Sequence, residues 1–185
     1  MLKKLILCSA LIFMLIVSGC AVSTVEREEF ENGIYTGEWQ RGRPHGHGTL
    51  IAETDDAVIS YVGEWRSGRR RGQGLHVRTG SDGSVLTFEG GWRNNQRNGQ
   101  GLQIFERADG STITLKGNFI NDAIHGPVTM TTALVADGEI VQVVEFEGEF
   151  THGVMHGYGR EVTKDRYGNI INSRFGRWEW DEFVG

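Results

Sequence analysis

The chain has 185 residues with a formal net charge of −5, and its composition argues against several classes of protein. The content of 38% hydrophobic and 23% charged residues with 2 Pro argues against a disordered or collagen-like chain, and the acidic balance disfavours nucleic-acid binding. The 2 Cys are too few for a disulfide framework or a CxxC zinc or redox site. The 27 Gly make up about 15% of the chain, twice the usual share, and require an explanation.

Residues 1–19 are predicted to be a targeting segment that is not part of the fold. Lys3 and Lys4 give a basic start, and residues 5–17 form an apolar run of 13 residues. A membrane-spanning helix needs about 20 apolar residues, so this run is too short to span and is typical of a signal-peptide core.

The end of this segment, Val17-Ser18-Gly19-Cys20, resembles the lipobox of bacterial lipoprotein precursors. The resemblance implies cleavage before Cys20 and a triacylated Cys20 that anchors the protein on a membrane surface. In a Gram-negative host, Ala21 in place of Asp implies an outer-membrane protein facing the periplasm. Residues 20–34 are then predicted to be the lipidated Cys and a tether. The alternatives are an ordinary signal peptide with an incidental Cys, or a short membrane anchor.

One pattern recurs from residue 35 onward and explains the glycine. It has an aromatic residue, Gly at the third position, Trp or Phe at the fifth, Gly at the eighth and His-Gly-x-Gly from the eleventh. Copies begin at residues 35, 61, 88, 115 and 146; the copy at 115 is eroded, and an incomplete sixth begins near residue 176. The positions predicted to form the structural repeat are Tyr35, Gly37, Trp39, His45, Gly46, Tyr61, Gly63, Trp65, Phe88, Gly90, Trp92, Phe146, Gly148, Phe150, His156 and Gly157.

The spacing of this pattern predicts a meander of β-hairpins. Alternate residues of a strand point to one face, so each copy presents aromatic, Gly and aromatic on one face, with the Gly leaving room for a ring of a neighbouring copy. The Gly at the eighth position and the His-Gly-x-Gly segment are predicted to form a tight reversal. Second strands are then expected at residues 49–53, 75–78, 102–106, 128–132 and 160–163. Asp-Gly pairs between copies predict the remaining hairpins.

This pattern resembles the MORN repeat, whose signature is Tyr-x-Gly-x-Trp-x-x-Gly-x-x-His-Gly-x-Gly. The resemblance covers residues 35 to about 160, with a degenerate C-terminal cap to residue 185. It implies an all-β fold, an elongated, curved, single-layer antiparallel meander of about ten strands. Trp178, Trp180 and Phe183 are expected to close its C-terminal end. MORN proteins are associated with membrane attachment and protein assembly.

The histidines are expected to be structural. His45 with His47, and His152 with His156, are the pairs that invite a metal or catalytic interpretation, but His45 and His156 occupy the repeat's turn position. No metal and no cofactor are therefore expected, and His76 is expected on an exposed strand face. The sequence has no nucleophile motif or phosphate-binding loop in a strand-to-helix context, so the protein is predicted not to be an enzyme.

Arg69, Arg70 and Arg71 are the basic cluster that the sequence offers as a ligand site. Arginine suits phosphates of anionic lipid or glycan, whereas a solvated turn is the structural alternative. The predicted function is a non-enzymatic, lipid-anchored scaffold that binds another protein of the bacterial cell envelope. The alternative function is a binding module for anionic lipid or peptidoglycan-type glycan.

Overall fold

The computed structural model describes residues 22–185, which form one open β-sheet. The predicted signal peptide at residues 1–19 and the predicted lipidation site Cys20 lie outside the described residues. Within residues 22–185, no helix is long and apolar enough to cross a membrane. The strands are β1 (Ser23–Phe30), β2 (Gly33–Gln40), β3 (Arg43–Glu53), β4 (Ala57–Arg66), β5 (Arg69–Gly80), β6 (Val85–Arg93), β7 (Gln96–Glu106), β8 (Thr112–Ile120), β9 (Ala123–Ala136), β10 (Glu139–Thr151), β11 (Val154–Asp165), β12 (Ile170–Glu179) and β13 (Glu182–Phe183).

Each strand pairs with the strand before it and the strand after it, in the order β1 to β13 without a crossover. All pairs are antiparallel, which confirms the predicted all-β, single-layer meander. The sheet has 13 strands instead of about ten, because β1 precedes the first repeat and β12 and β13 follow the fifth. At about 4.8 Å between strands, the sheet is about 60 Å long.

Most of the segment predicted to be a tether belongs to the sheet. Residues 23–30 form β1, which pairs along β2, with a register shift between Glu26 and Glu28. Arg27 lies at this bulge with a φ of 73°. Val25 and Phe30 pack against the buried aromatic cluster, so the first repeat does not end the core. The tether prediction is therefore wrong for residues 23–34.

The chain reverses earlier in each repeat than predicted. The first tight turn consists of Arg41 and Gly42, with φ of 50° and 73°. The His-Gly-x-Gly segment lies inside β3, where residues 45–47 stand opposite the single residue Glu38 and form a bulge. Two residues are enough for the reversal, so Arg43 and Pro44 already pair with Gln40 and Trp39 of β2. The second strands consequently begin at residues 43, 69, 96, 123 and 154.

The core is a row of rings on one face of the sheet, which we call the ring face. The first ring of each well-formed repeat is fully buried, as Tyr35 and Tyr61 show. The Tyr35 ring lies directly over Gly48, the last Gly of its own repeat, where an added Cβ would overlap the ring. The third-position Gly was predicted to make room for a ring of a neighbouring copy, and this is wrong: a Cβ on Gly37 would meet Gly48, His47 and Tyr35, which all belong to the same repeat.

The two ends of the sheet differ. At the C-terminal end, Trp178 is 1% exposed and packs between Phe146 and Phe183, as expected for a cap. Trp180 is 66% exposed, so its predicted role in closing the core is wrong. Strand β13 pairs with only the last two residues of β12. The rest of β12 carries three exposed apolar side chains, Ile170, Ile171 and Phe175.

Candidate functional site

The aromatic residues of the repeats form a continuous lattice along the ring face. The first ring of one repeat packs on the fifth-position ring of the next, with centroids 5.5 Å apart for Tyr35 and Trp65 and 5.3 Å apart for Tyr61 and Trp92. The Trp65 indole Nε1 donates a hydrogen bond to the Gly48 carbonyl at 3.1 Å. The rings predicted from the sequence are thus used to join repeats.

The tyrosine hydroxyls of the lattice are also paired. Tyr35 Oη donates to the Glu38 carbonyl at 2.8 Å, and Tyr61 Oη donates to the Glu64 carbonyl at 3.1 Å. Burial, followed by the charge of Glu38, raises the pKa of Tyr35 to about 12. Burial also raises the pKa of Tyr61. Both tyrosines are therefore neutral at physiological pH.

A carboxylate holds the bulge of each of the first two repeats, and sequence reasoning missed it. Glu38 Oε1 accepts a hydrogen bond from the His47 backbone N–H at 2.7 Å, and Glu64 Oε1 accepts one from Gln73 at 2.7 Å. Each carboxylate lies against a Gly, Gly46 in the first repeat and Gly72 in the second, and a Cβ at either Gly would overlap the carboxylate. The available signal was Gly-Glu-Trp, which occurs in both repeats at a position that the signature leaves open.

The tight turns of successive repeats are bonded to one another along one long edge of the sheet, which we call the turn edge. The Asn95 N–H donates to the Arg70 carbonyl at 3.2 Å, and Asn95 Oδ1 accepts from the Arg70 N–H at 2.8 Å. Asp122 makes the same pair of bonds with Arg97, at 3.0 and 2.9 Å. These bonds fix the position of each turn relative to the next.

The histidines lie in three different settings. His47 is largely exposed, with Nδ1 3.7 Å from the Glu38 carboxylate. His152 packs on His125 with ring centroids 4.6 Å apart, and His156 packs on Trp180. Among residues 22–185 no group of three His, Cys, Asp or Glu side chains is arranged to hold a metal ion.

His76 is not on an exposed face as predicted. Its ring lies on the ring face, 5.9 Å from Trp92. Burial, with smaller contributions from Arg70 and Arg97, lowers the pKa of His76 to about 4. The error arose because the pairing of His76 with Phe88 places it over the rings, which the local sequence does not reveal.

The predicted arginine cluster is divided between the two faces. Arg70 lies on the ring face with Cζ 4.3 Å from the Trp92 ring centroid, and its Nη2 donates to the Asn95 carbonyl at 3.0 Å. Burial lowers the pKa of Arg70. Arg69 and Arg71 are exposed on the opposite face, because adjacent residues of a strand alternate in direction.

Arg69 and Arg71 belong to a larger basic site, which we call the arginine groove. Arg43 and Arg66, from the preceding strands, line the same depression of about 320 Å³, together with Ser67 and Asn94. None of the four arginines makes an ion pair with another described residue. Four adjacent guanidinium groups repel one another and favour a polyvalent anion, to which each can donate two parallel hydrogen bonds.

A comparison with protein families accounts for the repeating geometry. The family model of the MORN repeat matches residues 35–55, 61–85, 88–112 and 146–165. These four segments are MORN repeats. A comparison with curated proteins finds no match. MORN repeats suggest a binding module that associates with a membrane or with lipid.

The eroded copy at residue 115 lies between the third and fourth matched MORN repeats. Strands β8 and β9 continue the sheet there without interruption, and Gly117 pairs with Val128 where a complete repeat pairs two glycines. Val128 is 3% exposed and Ile124 is 4% exposed, and both lie against Gly117, so aliphatic side chains fill the space that a first-position ring takes elsewhere.

Proposed function

We propose that this protein is a non-enzymatic, lipid-anchored MORN-repeat scaffold that binds another protein of the bacterial cell envelope. The anchor is Cys20, and in a Gram-negative host the protein sits on the outer membrane and faces the periplasm. The MORN repeats support the association with a membrane, and the lipobox resemblance supports the anchor.

The observation that carries the proposal is an apolar patch on the face opposite the rings, which we call the outer patch. Val62 in β4 pairs with Leu75 in β5 and is 49% exposed. Ile51 in β3 is 52% exposed, and Val58 in β4 is 44% exposed. Leu75 is 38% exposed, so each of the four side chains presents a large part of its surface to solvent. Contiguous exposed apolar surface marks sites of protein interaction more often than sites of catalysis.

Crosslinking in intact cell envelopes, followed by affinity purification and mass spectrometry, tests this function. The double variant Val62→Lys with Leu75→Lys places two charges in the outer patch and should abolish recovery of the partner. The double variant Ile120→Lys with Ile140→Lys is the matched control, because these side chains are 45% and 51% exposed and lie outside the patch. The recovery of the same proteins with all variants, or of none with the native chain, would refute the scaffold.

Binding of anionic lipid or peptidoglycan-type glycan is the second candidate function, and the arginine groove favours it. The groove presents four arginines without ion pairs among the described residues. Because Arg70 points to the ring face, the informative charge reversal is Arg69→Glu with Arg71→Glu. Unchanged binding to both anionic vesicles and phosphorylated glycan would remove this candidate.

A further inference from the structure

The two long edges of the sheet carry opposite charge. The first three turns of the turn edge, residues 40–43, 66–69 and 93–96, contain five Arg and no Asp or Glu. Beyond them the same edge carries Asp122 and then Glu179, Asp181 and Glu182. The opposite edge, formed by residues 30–33, 53–57, 80–85, 106–112, 136–139 and 165–170, contains ten Asp or Glu and two Arg. Among the turns, basic charge is thus concentrated in the first three of the turn edge, at the N-terminal end of the sheet.

The N-terminus leaves the sheet at this same place. Strand β1 begins at Ser23, which pairs with Trp39 beside the first tight turn. Cys20 precedes Ser23 by three residues, which extend over about 10 Å at most. Any membrane attached to Cys20 therefore lies within about 10 Å of the turn edge, next to the arginine groove.

We propose that the sheet stands edge-on upon an anionic membrane, with its first three tight turns and the arginine groove on the lipid phosphates. This inference rests on the anchoring proposed above and adds the surface and the orientation. The chain as a whole is acidic, so its charge does not hold it on the membrane; the separation of charge between the edges orients it. The acidic edge is then held about 35 Å away, which is the length of β5, beyond several Debye lengths.

This orientation leaves both faces of the sheet free. The outer patch lies on strands that run from the membrane-facing edge to the distal edge, so a protein can reach it from the side. An orientation with the outer-patch face on the bilayer would place Glu64 and Glu89 against lipid phosphates, and like charges in contact are unfavourable.

Fluorescence quenching on vesicles measures the orientation directly. Ser67 and Ser81 are exposed turn residues at opposite ends of β5, and Cys replaces each in the full mature chain recovered from membranes. The labelled proteins are reconstituted in vesicles of phosphatidylcholine alone or mixed with phosphatidylglycerol, with a quencher on the lipid head group. Mass spectrometry of the N-terminal peptide first establishes whether Cys20 carries acyl chains and is thus unavailable to the label.

We expect the label at residue 67 to be quenched several-fold more than the label at residue 81, in anionic vesicles and not in neutral ones. The variant Arg66→Glu with Arg69→Glu should abolish this difference. The control, Arg107→Glu with Arg166→Glu, makes the same change of charge on the opposite edge and should preserve it. Equal quenching of both labels in acylated protein would overturn the orientation while leaving the anchor intact.

An unmodified Cys20 would refute the anchor, and the edge is then tested without it. Each arginine near an anionic surface contributes about fivefold to partitioning, and the reversal of Arg66 and Arg69 removes two arginines and adds two carboxylates, so it should weaken co-flotation of the full chain with anionic vesicles by at least about 25-fold. Loss of co-flotation in this variant and not in the control supports the edge. Equal co-flotation of the two variants, or binding of polyphosphate without binding of vesicles, overturns it.

Discussion

Replacement of Gly48 by Ala tests whether each repeat is built around a ring that lies on its own last Gly. The added Cβ would overlap the Tyr35 ring, which is fully buried. Overpacking costs about 1–3 kcal/mol, and loss of the Tyr35 hydroxyl bond to the Glu38 carbonyl adds about 1 kcal/mol. We expect the free energy of unfolding in urea to fall by about 2–4 kcal/mol.

The same substitution should have the opposite sign once the ring is removed. In a Tyr35→Ala background, Ala at position 48 meets no ring, and Ala is preferred to Gly within a strand by about 0.5–1 kcal/mol. The cycle can be repeated on Phe88 and Gly101, where the ring stands over the Gly in the same way. A Gly48→Ala effect that is equal in both backgrounds would refute the ring-on-glycine packing.

Three further predictions concern the bulge, the turn edge and His76. Glu38→Gln weakens the bond to the His47 N–H and should cost about 1 kcal/mol, since Glu38 is 41% exposed, whereas Glu89→Gln should cost nothing measurable in the same urea titration. Asp122→Ala should cost about 1–2 kcal/mol, and Asp122→Asn should restore stability because Asn95 makes the equivalent bond; equal losses in the two variants would contradict this. The pKa of His76 is about 4 in the folded chain and 6.5 in the unfolded chain, so the unfolded chain binds more protons between these pH values. The free energy of unfolding should therefore be highest above pH 6.5 and should fall as the pH falls towards 4. With its partial exposure the loss is on the order of 1–2 kcal/mol, and urea titrations at both pH values should show it reduced in His76→Gln.

The sequence reveals the meander because its signal is local and repeated. Aromatic and Gly residues at alternate positions predict strands, and Asp-Gly pairs predict hairpins, without knowledge of distant contacts. Strand β1 escapes this reasoning because it lacks the motif and contributes only Val25 and Phe30 to the core. The reversal was misplaced because a Gly-rich segment has the same composition in a turn as in a bulge.

The candidate site was found only in part because it is assembled across repeats. Arg69 and Arg71 are adjacent in sequence, but Arg43 is more than twenty residues away and reaches them because the tight turns are bonded in register. Arg70 was grouped with its neighbours, although strand alternation sends it to the other face. The role of Glu38 was hidden because the signature leaves its position open.

The unequal ends of the sheet have a consequence for self-association. A sheet that exposes two receptive end strands can add copies head to tail without limit and form fibres. Here β12 offers exposed Ile170, Ile171 and Phe175, but β1 is interrupted by the bulge at Arg27 and carries Glu26 and Glu28. A second copy therefore cannot pair its β1 with the exposed β12 of the first along the whole strand. Strand β1 by itself thus protects the molecule against head-to-tail polymerisation.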